Sequence, residues 1–75
     1  MEDPRFTAVR FAPGYDMAAV DDFVDRVRAA LEGRAPMTAQ EALDARFPTT
    51  RLRSGYSVDE VDLWIDEILA RLEQG

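Results

Sequence analysis

The sequence predicts an all-α fold: two short heptad helices paired in a coiled-coil-like manner, joined by a short helix and extended loops. Three observations lead there. The chain contains an internal repeat, with Gly14 and Gly55 at equivalent places 41 residues apart. Each copy holds an apolar series stepping 3, 4, 3, 4, the spacing of a heptad seam. Each series follows a stretch with the chemistry of a helix start.

The repeat needs no gap. It pairs Asp3 with Asp44, Arg5 with Arg46, Phe6 with Phe47 and Arg10 with Arg51, then Gly14–Tyr15 with Gly55–Tyr56 and Val20–Asp21 with Val61–Asp62. The expected organisation is one domain over residues 1–75, built from a truncated first copy (3–33) and a fuller second copy (37–74).

At the helix starts, Ser57 is placed to cap, with Glu60 three residues on to complete a capping box, and Tyr56 to staple against Val61. In the first copy Asp16 caps and Tyr15 staples to Val20, but Ala19 stands where the box needs an acid. Gly14 and Gly55 suit a turn with positive φ.

The seam of the first helix is Met17, Val20, Val24, Val27 and Leu31. That of the second is Val58, Val61, Ile65, Ile68 and Leu72. Phe23 and Trp64 flank the seams at matching positions and widen them as core or interface anchors, as do Leu63 and Leu69 in the second copy. Gly33 and Gly75 are the expected stops. Two heptads are too few for an independent coiled coil, so the seam must be covered by the other copy, by a second chain, or by both. Thr38 and Glu41 form a further capping box, starting a short helix to about Ala45 with Ala42 and Leu43 facing inward. Pro48 then ends helical structure and leaves 47–55 as a loop.

Composition narrows the function. Seventy-five residues fit one small domain with a limited core. There is no cysteine and no histidine, so thiolate metal sites, disulfides and the commonest general base are all missing. The net charge of −6 argues against nucleic acid. No nucleophile–base set or phosphate-cradling glycine loop is present, so enzymatic activity and cofactors are not expected. The carboxylates of the two helices lack the spacing of a calcium loop and read as a solvated face near helix N-termini. No apolar run is long enough to span a membrane, and the expected location is the cytoplasm.

The stretch FPTTRLRSGYSVDEVDLWIDEILARL, preceded by MTAQEALDARF, resembles the N-terminal domain of DivIVA, the bacterial division-site and cell-pole scaffold. The shared pattern is a short helix, a phenylalanine, a basic loop, Gly-Tyr, an acid pair, Glu-Val-Asp and a heptad helix. The second copy follows it closely. The first matches at Gly14–Tyr15, Val20–Asp21 and Phe23, departs at Ala18 and Ala19, and has no short helix before it. The long coiled-coil tail of full-length DivIVA is not among these residues. The resemblance implies a parallel dimer whose loops present an apolar residue beside a basic one to the inner membrane leaflet. The family's loop pair aligns with Arg53–Ser54 and Ala12–Pro13, so it is not matched position by position. The nearest equivalents are Leu52 with Arg51 and Arg53, and Phe11 with Arg10.

Those five loop residues are the candidate contact for a membrane or a partner. Both loops are free of acids in an acidic chain. Arginine beside an exposed apolar side chain suits an anionic lipid surface. The competing expectation is that Phe11 and Leu52 pack on Phe6 and Phe47 while the arginines pair with nearby acids. The expected partners are a second copy or the chain's own other half, another protein, and an anionic membrane met peripherally at its inner face. The expected function is a scaffold or interaction module in bacterial division or polar growth. The alternative is a soluble adaptor or regulatory subunit that binds another protein through its helical surface.

Overall fold

The computed structural model describes residues 4–74. The elements in order are β1 (Ala8–Val9), β2 (Gly14–Tyr15), α1 (Met17–Leu31), α2 (Ala39–Leu43), β3 (Thr49–Thr50), β4 (Gly55–Ser57) and α3 (Val58–Gln74). The all-α expectation is therefore wrong: three helices stand beside a four-stranded antiparallel sheet of order β1-β4-β2-β3. Strands of two or three residues leave no alternating pattern to read. They exist because each finds its hydrogen-bonding partner in the other repeat.

That pairing is reciprocal. Ala8 faces Tyr56 in β1–β4, and Thr49 faces Tyr15 in β3–β2. At the centre Tyr15 faces Tyr56, each the repeat equivalent of the other. The same exchange extends beyond the strands, where Asp16 N–H donates to the Pro48 carbonyl at 2.8 Å and Ser57 N–H to the Thr7 carbonyl at 2.9 Å. The two repeats are thus related by an approximate two-fold axis passing between the tyrosines.

The helices obey the same symmetry. Val20 shares a cluster with Val61, and Val27 shares another with Ile68. The rings of Phe23 and Trp64 meet edge to face with centroids 6.0 Å apart. Equivalent residues from Val20 and Val61 to Leu31 and Leu72 share these clusters, so α1 and α3 run parallel and in register. Val20, Val24, Val27, Val61 and Ile68 are buried, with Ile65, Leu31 and Leu72 packed against them. Met17 and Val58, at the helix starts, are half-buried. Leu63 does not widen the seam, since it is 63% exposed, whereas Leu69 packs on the core. The helix period turns Leu63 away from α1 once Trp64 and Ile65 face it.

Helix α2 has no counterpart. The Thr38 box is formed in full, with Glu41 N–H donating to Thr38 Oγ1 at 3.1 Å and Thr38 N–H to Glu41 Oε2 at 3.3 Å. The helix stops at Leu43 rather than Ala45, and only Ala42 faces inward. Leu43 is 55% exposed. Of the two expected glycine stops, Gly33 has φ 75° and closes α1. Its N–H donates to the Ala30 carbonyl, and that of Arg34 to the Ala29 carbonyl, the paired bonds of a Schellman motif. Gly75 and Asp3 lie outside the described residues.

Asp16 and Ser57 both cap, Ser57 weakly, and one expectation at the helix starts, the second capping box, needs correction. Asp16 caps α1, accepting from Ala19 N–H at 3.0 Å. Ser57 is less well placed: it belongs to β4, and its hydroxyl lies 3.5 Å from Glu60 N–H. Nor does Glu60 close a capping box. The Ser57 N–H that it would accept is taken by Thr7, and the Glu60 carboxylate accepts from Thr7 N–H at 3.0 Å. The strand from the other repeat outcompetes the local box.

Candidate functional site

Each strand pair β1–β2 and β3–β4 belongs to one repeat, yet its members are not neighbours. Strand β4 lies between β1 and β2, and β2 lies between β3 and β4. Loops 10–13 and 51–54 must therefore cross a strand of the other repeat, and they interlock at the end of the molecule where both helices start. The molecule is elongated, 38 × 17 × 16 Å, so this end is a small face carrying both loops.

The crossing explains the glycines. Neither Gly14 nor Gly55 has positive φ, so the turn reading fails for both. A Cβ on Gly55 would stand 2.9 Å from the Tyr15 carbonyl oxygen and 3.0 Å from the Gly14 carbonyl carbon. One on Gly14 would stand 2.7 Å from Val9 Cγ2 and 3.1 Å from the Tyr56 carbonyl oxygen. Two backbones pass too closely for any side chain. Positive φ falls instead on Phe11, at 57°, a conformation uncommon outside glycine, asparagine and aspartate.

Beneath the crossing, aromatic rings fill each half alike. Phe6 packs on Tyr56 and Trp64, and Phe47 on Tyr15 and Phe23. The Tyr15 hydroxyl donates to Asp62 on α3, and the Tyr56 hydroxyl to Asp21 on α1, each at 2.8 Å. The tyrosines therefore bind the helix of the opposite repeat as well as packing at their own helix starts. Burial, the bond to Asp62 and that carboxylate's charge raise the Tyr15 pKa. The bond to Asp21, then burial and its charge, raise that of Tyr56. The Thr7 amide lowers that of Glu60.

A raised phenol pKa contributes stability that is fully present below the ordinary value of about 10 and is lost as pH rises through the folded value. Glu60, depressed, contributes above the ordinary carboxylate range and loses its contribution as pH falls through its folded value. The melting temperature should therefore decline above pH ~10 as the tyrosines ionise. The Tyr15→Phe/Tyr56→Phe variant should show a shallower decline over that window. Equal alkaline slopes would mean that the cross-repeat hydroxyl bonds are not made in solution.

The loop tips face water. Phe11 is 83% and Leu52 91% exposed, so neither packs on Phe6 or Phe47. Arg10 and Arg51 are exposed and make no ion pair among the described residues. Arg53 differs: its Nη2 bonds Asp16 Oδ1 at 2.8 Å. All five predicted contact residues thus lie in the two crossing loops, while the seam residues lie along the helices below.

Sequence reasoning missed a second surface. A groove between α2 and α3 is lined by Leu43, Arg46, Phe47, Ile65, Asp66 and Leu69. Its signal was the exposed side of the short helix, which reads as core when Leu43 is assigned inward.

Among the described residues, no helix is long and apolar enough to cross a membrane, and no group of three or more potential ligands is placed to hold a metal ion. Comparison with protein families, curated proteins and solved structures finds no match.

Proposed function

We propose that this chain is a non-enzymatic docking module in which one polypeptide presents two apolar-basic tips side by side to an anionic membrane surface. In this reading it acts as a DivIVA-like scaffold or interaction unit in bacterial division or polar growth, from the cytoplasmic side. The observation that carries it is the exposure of Phe11 and Leu52, with Arg10 and Arg51 unpaired beside them among the described residues. An apolar side chain left in water gains little from burial in the fold and is available to an apolar partner. Arginine next to it favours a negatively charged surface by about 1 kcal/mol per cation. Two tips on one rigid chain act together, so weak contacts multiply.

Sedimentation with vesicles tests this. The chain should pellet with phosphatidylglycerol-containing vesicles and not with neutral ones. Phe11→Ser/Leu52→Ser should abolish pelleting with the circular dichroism unchanged. A wild-type chain that ignores anionic vesicles would remove the proposal. A second reading, a soluble adaptor, is favoured by the groove beside α2, where Leu43 is over half exposed. It would gain ground if Leu43→Ser, rather than the tip variant, abolished capture of a partner.

A further inference from the structure

The three arginines of the crossing loops are not equivalent. Arg10 and Arg51 make no ion pair among the described residues, whereas Arg53 reaches into the other repeat to bond Asp16 at 2.8 Å. Asp16 splits its two oxygens between separate tasks. Oδ2 accepts from Ala19 N–H and caps α1, while Oδ1 receives Arg53. The equivalent place in the other half holds Ala12 and Ser57, which cannot form an ion pair. One loop is fastened by charge and its twin is not.

We infer that the Asp16–Arg53 pair is a latch that withholds one of three tip cations until a sufficiently anionic surface competes for it. The inference rests on the docking reading above. The Arg53 side chain is 73% exposed and that of Asp16 21%; an ion pair open to water on the arginine side is a weak contact, so Arg53 can turn outward. Departure of Arg53 leaves the Oδ2 cap in place, so α1 is not disturbed. At low anionic density the tips engage Arg10 and Arg51. At high density Arg53 joins them, and the salt dependence of binding steepens. The latch thus converts a graded surface charge into a sharper response.

The test is a double-mutant cycle on phosphatidylcholine vesicles carrying a low fraction of phosphatidylglycerol. Asp16→Asn retains a capping oxygen but gives up the ion pair. It should bind about fivefold more tightly than wild type, the ratio that corresponds to ~1 kcal/mol for one more surface cation. In the Arg53→Gln background the same change should gain little. An equal gain in both backgrounds would reduce the effect to loss of a negative charge and overturn the latch. Arg53→Gln alone gives an independent reading should Asp16→Asn unfold. It should leave affinity unchanged at low phosphatidylglycerol and lower it at high, and a uniform loss at both would again overturn the latch. If neither wild type nor Asp16→Asn binds, the docking reading falls and takes the latch with it. If wild type binds and the cycle shows no coupling, only the latch falls.

Discussion

Val27→Asp is expected to abolish the folded state. Val27 is fully buried in a cluster with Phe23, Ala42 and Ile68. No buried polar or charged residue is found among the described residues, so an introduced carboxylate would meet no partner. Burying an unpaired carboxyl group costs several kcal/mol even after it takes up a proton. Small domains stand near the lower end of the usual 5–15 kcal/mol of stability, about what this one change removes. Ile65→Asp should be milder, because Ile65 is half-buried and its carboxylate can turn towards water. Far-ultraviolet circular dichroism with analytical ultracentrifugation decides the matter. A helical Val27→Asp chain with an unchanged melting temperature would show that α1 and α3 do not close the seam.

Gly55→Ala is expected to cost about 1–3 kcal/mol, the usual effect of overpacking where the neighbours cannot yield. The new methyl group would meet backbone atoms of Tyr15 and Gly14, held by the central strand pair, and Thr50 Cγ2 at 3.0 Å. Gly14→Ala meets the Val9 side chain first. Val9→Ala should therefore relieve part of the Gly14→Ala loss, and no substitution of Val9 should relieve Gly55→Ala. Urea denaturation of the four variants separates these outcomes. A Gly55→Ala protein as stable as wild type would mean that the loops do not cross as closely as described.

Both predictions concern features that the sequence disclosed unevenly. The helices were legible, because a seam stepping 3, 4, 3, 4 leaves a long periodic trace, and so was the repeat that places Val20 opposite Val61. The sheet was not. Two residues such as Ala8–Val9 or Thr49–Thr50 carry no alternation, and their partners are supplied by the other repeat. Glu60 was misassigned for a related reason. A local box is the natural expectation from Ser57 and Glu60, and nothing nearby announces that Thr7 will arrive as competitor. The glycines were recognised as special at the right positions but for the wrong cause, since a close crossing of two backbones has no signature in either stretch alone. The tips were legible as acid-free, apolar-basic loops, but the choice between exposed and packed Phe11 and Leu52 needed three dimensions.

The symmetry is broken in a matched way. Thr7 and Glu60 bond across the repeats. Their equivalents are Pro48, which has no N–H, and Ala19, which has no carboxylate. Arg53 and Asp16 likewise have Ala12 and Ser57 as counterparts. In both cases donor and acceptor are absent together, so neither half is left with a stranded polar group. Each of these two polar links is made once, and at these places the two halves have become complementary rather than identical.

The reciprocal strand pairing also orders the folding reaction. Ala8 pairs with Tyr56 and Gly14 with Thr50, residues far apart along the chain, so no strand can gain its hydrogen bonds from a local hairpin. Closing such long loops is entropically costly until something else brings the ends together. The helices, whose bonds are local, are the elements able to meet first, and their docked seam holds both repeats in the register that the sheet requires. On that order the interlocked tips would assemble last, on a scaffold already in place. Substitutions that loosen the tips should then speed unfolding more than they slow folding, a difference that stopped-flow denaturation reads directly. The end of the molecule proposed to meet a surface would in that case also be its kinetic clasp.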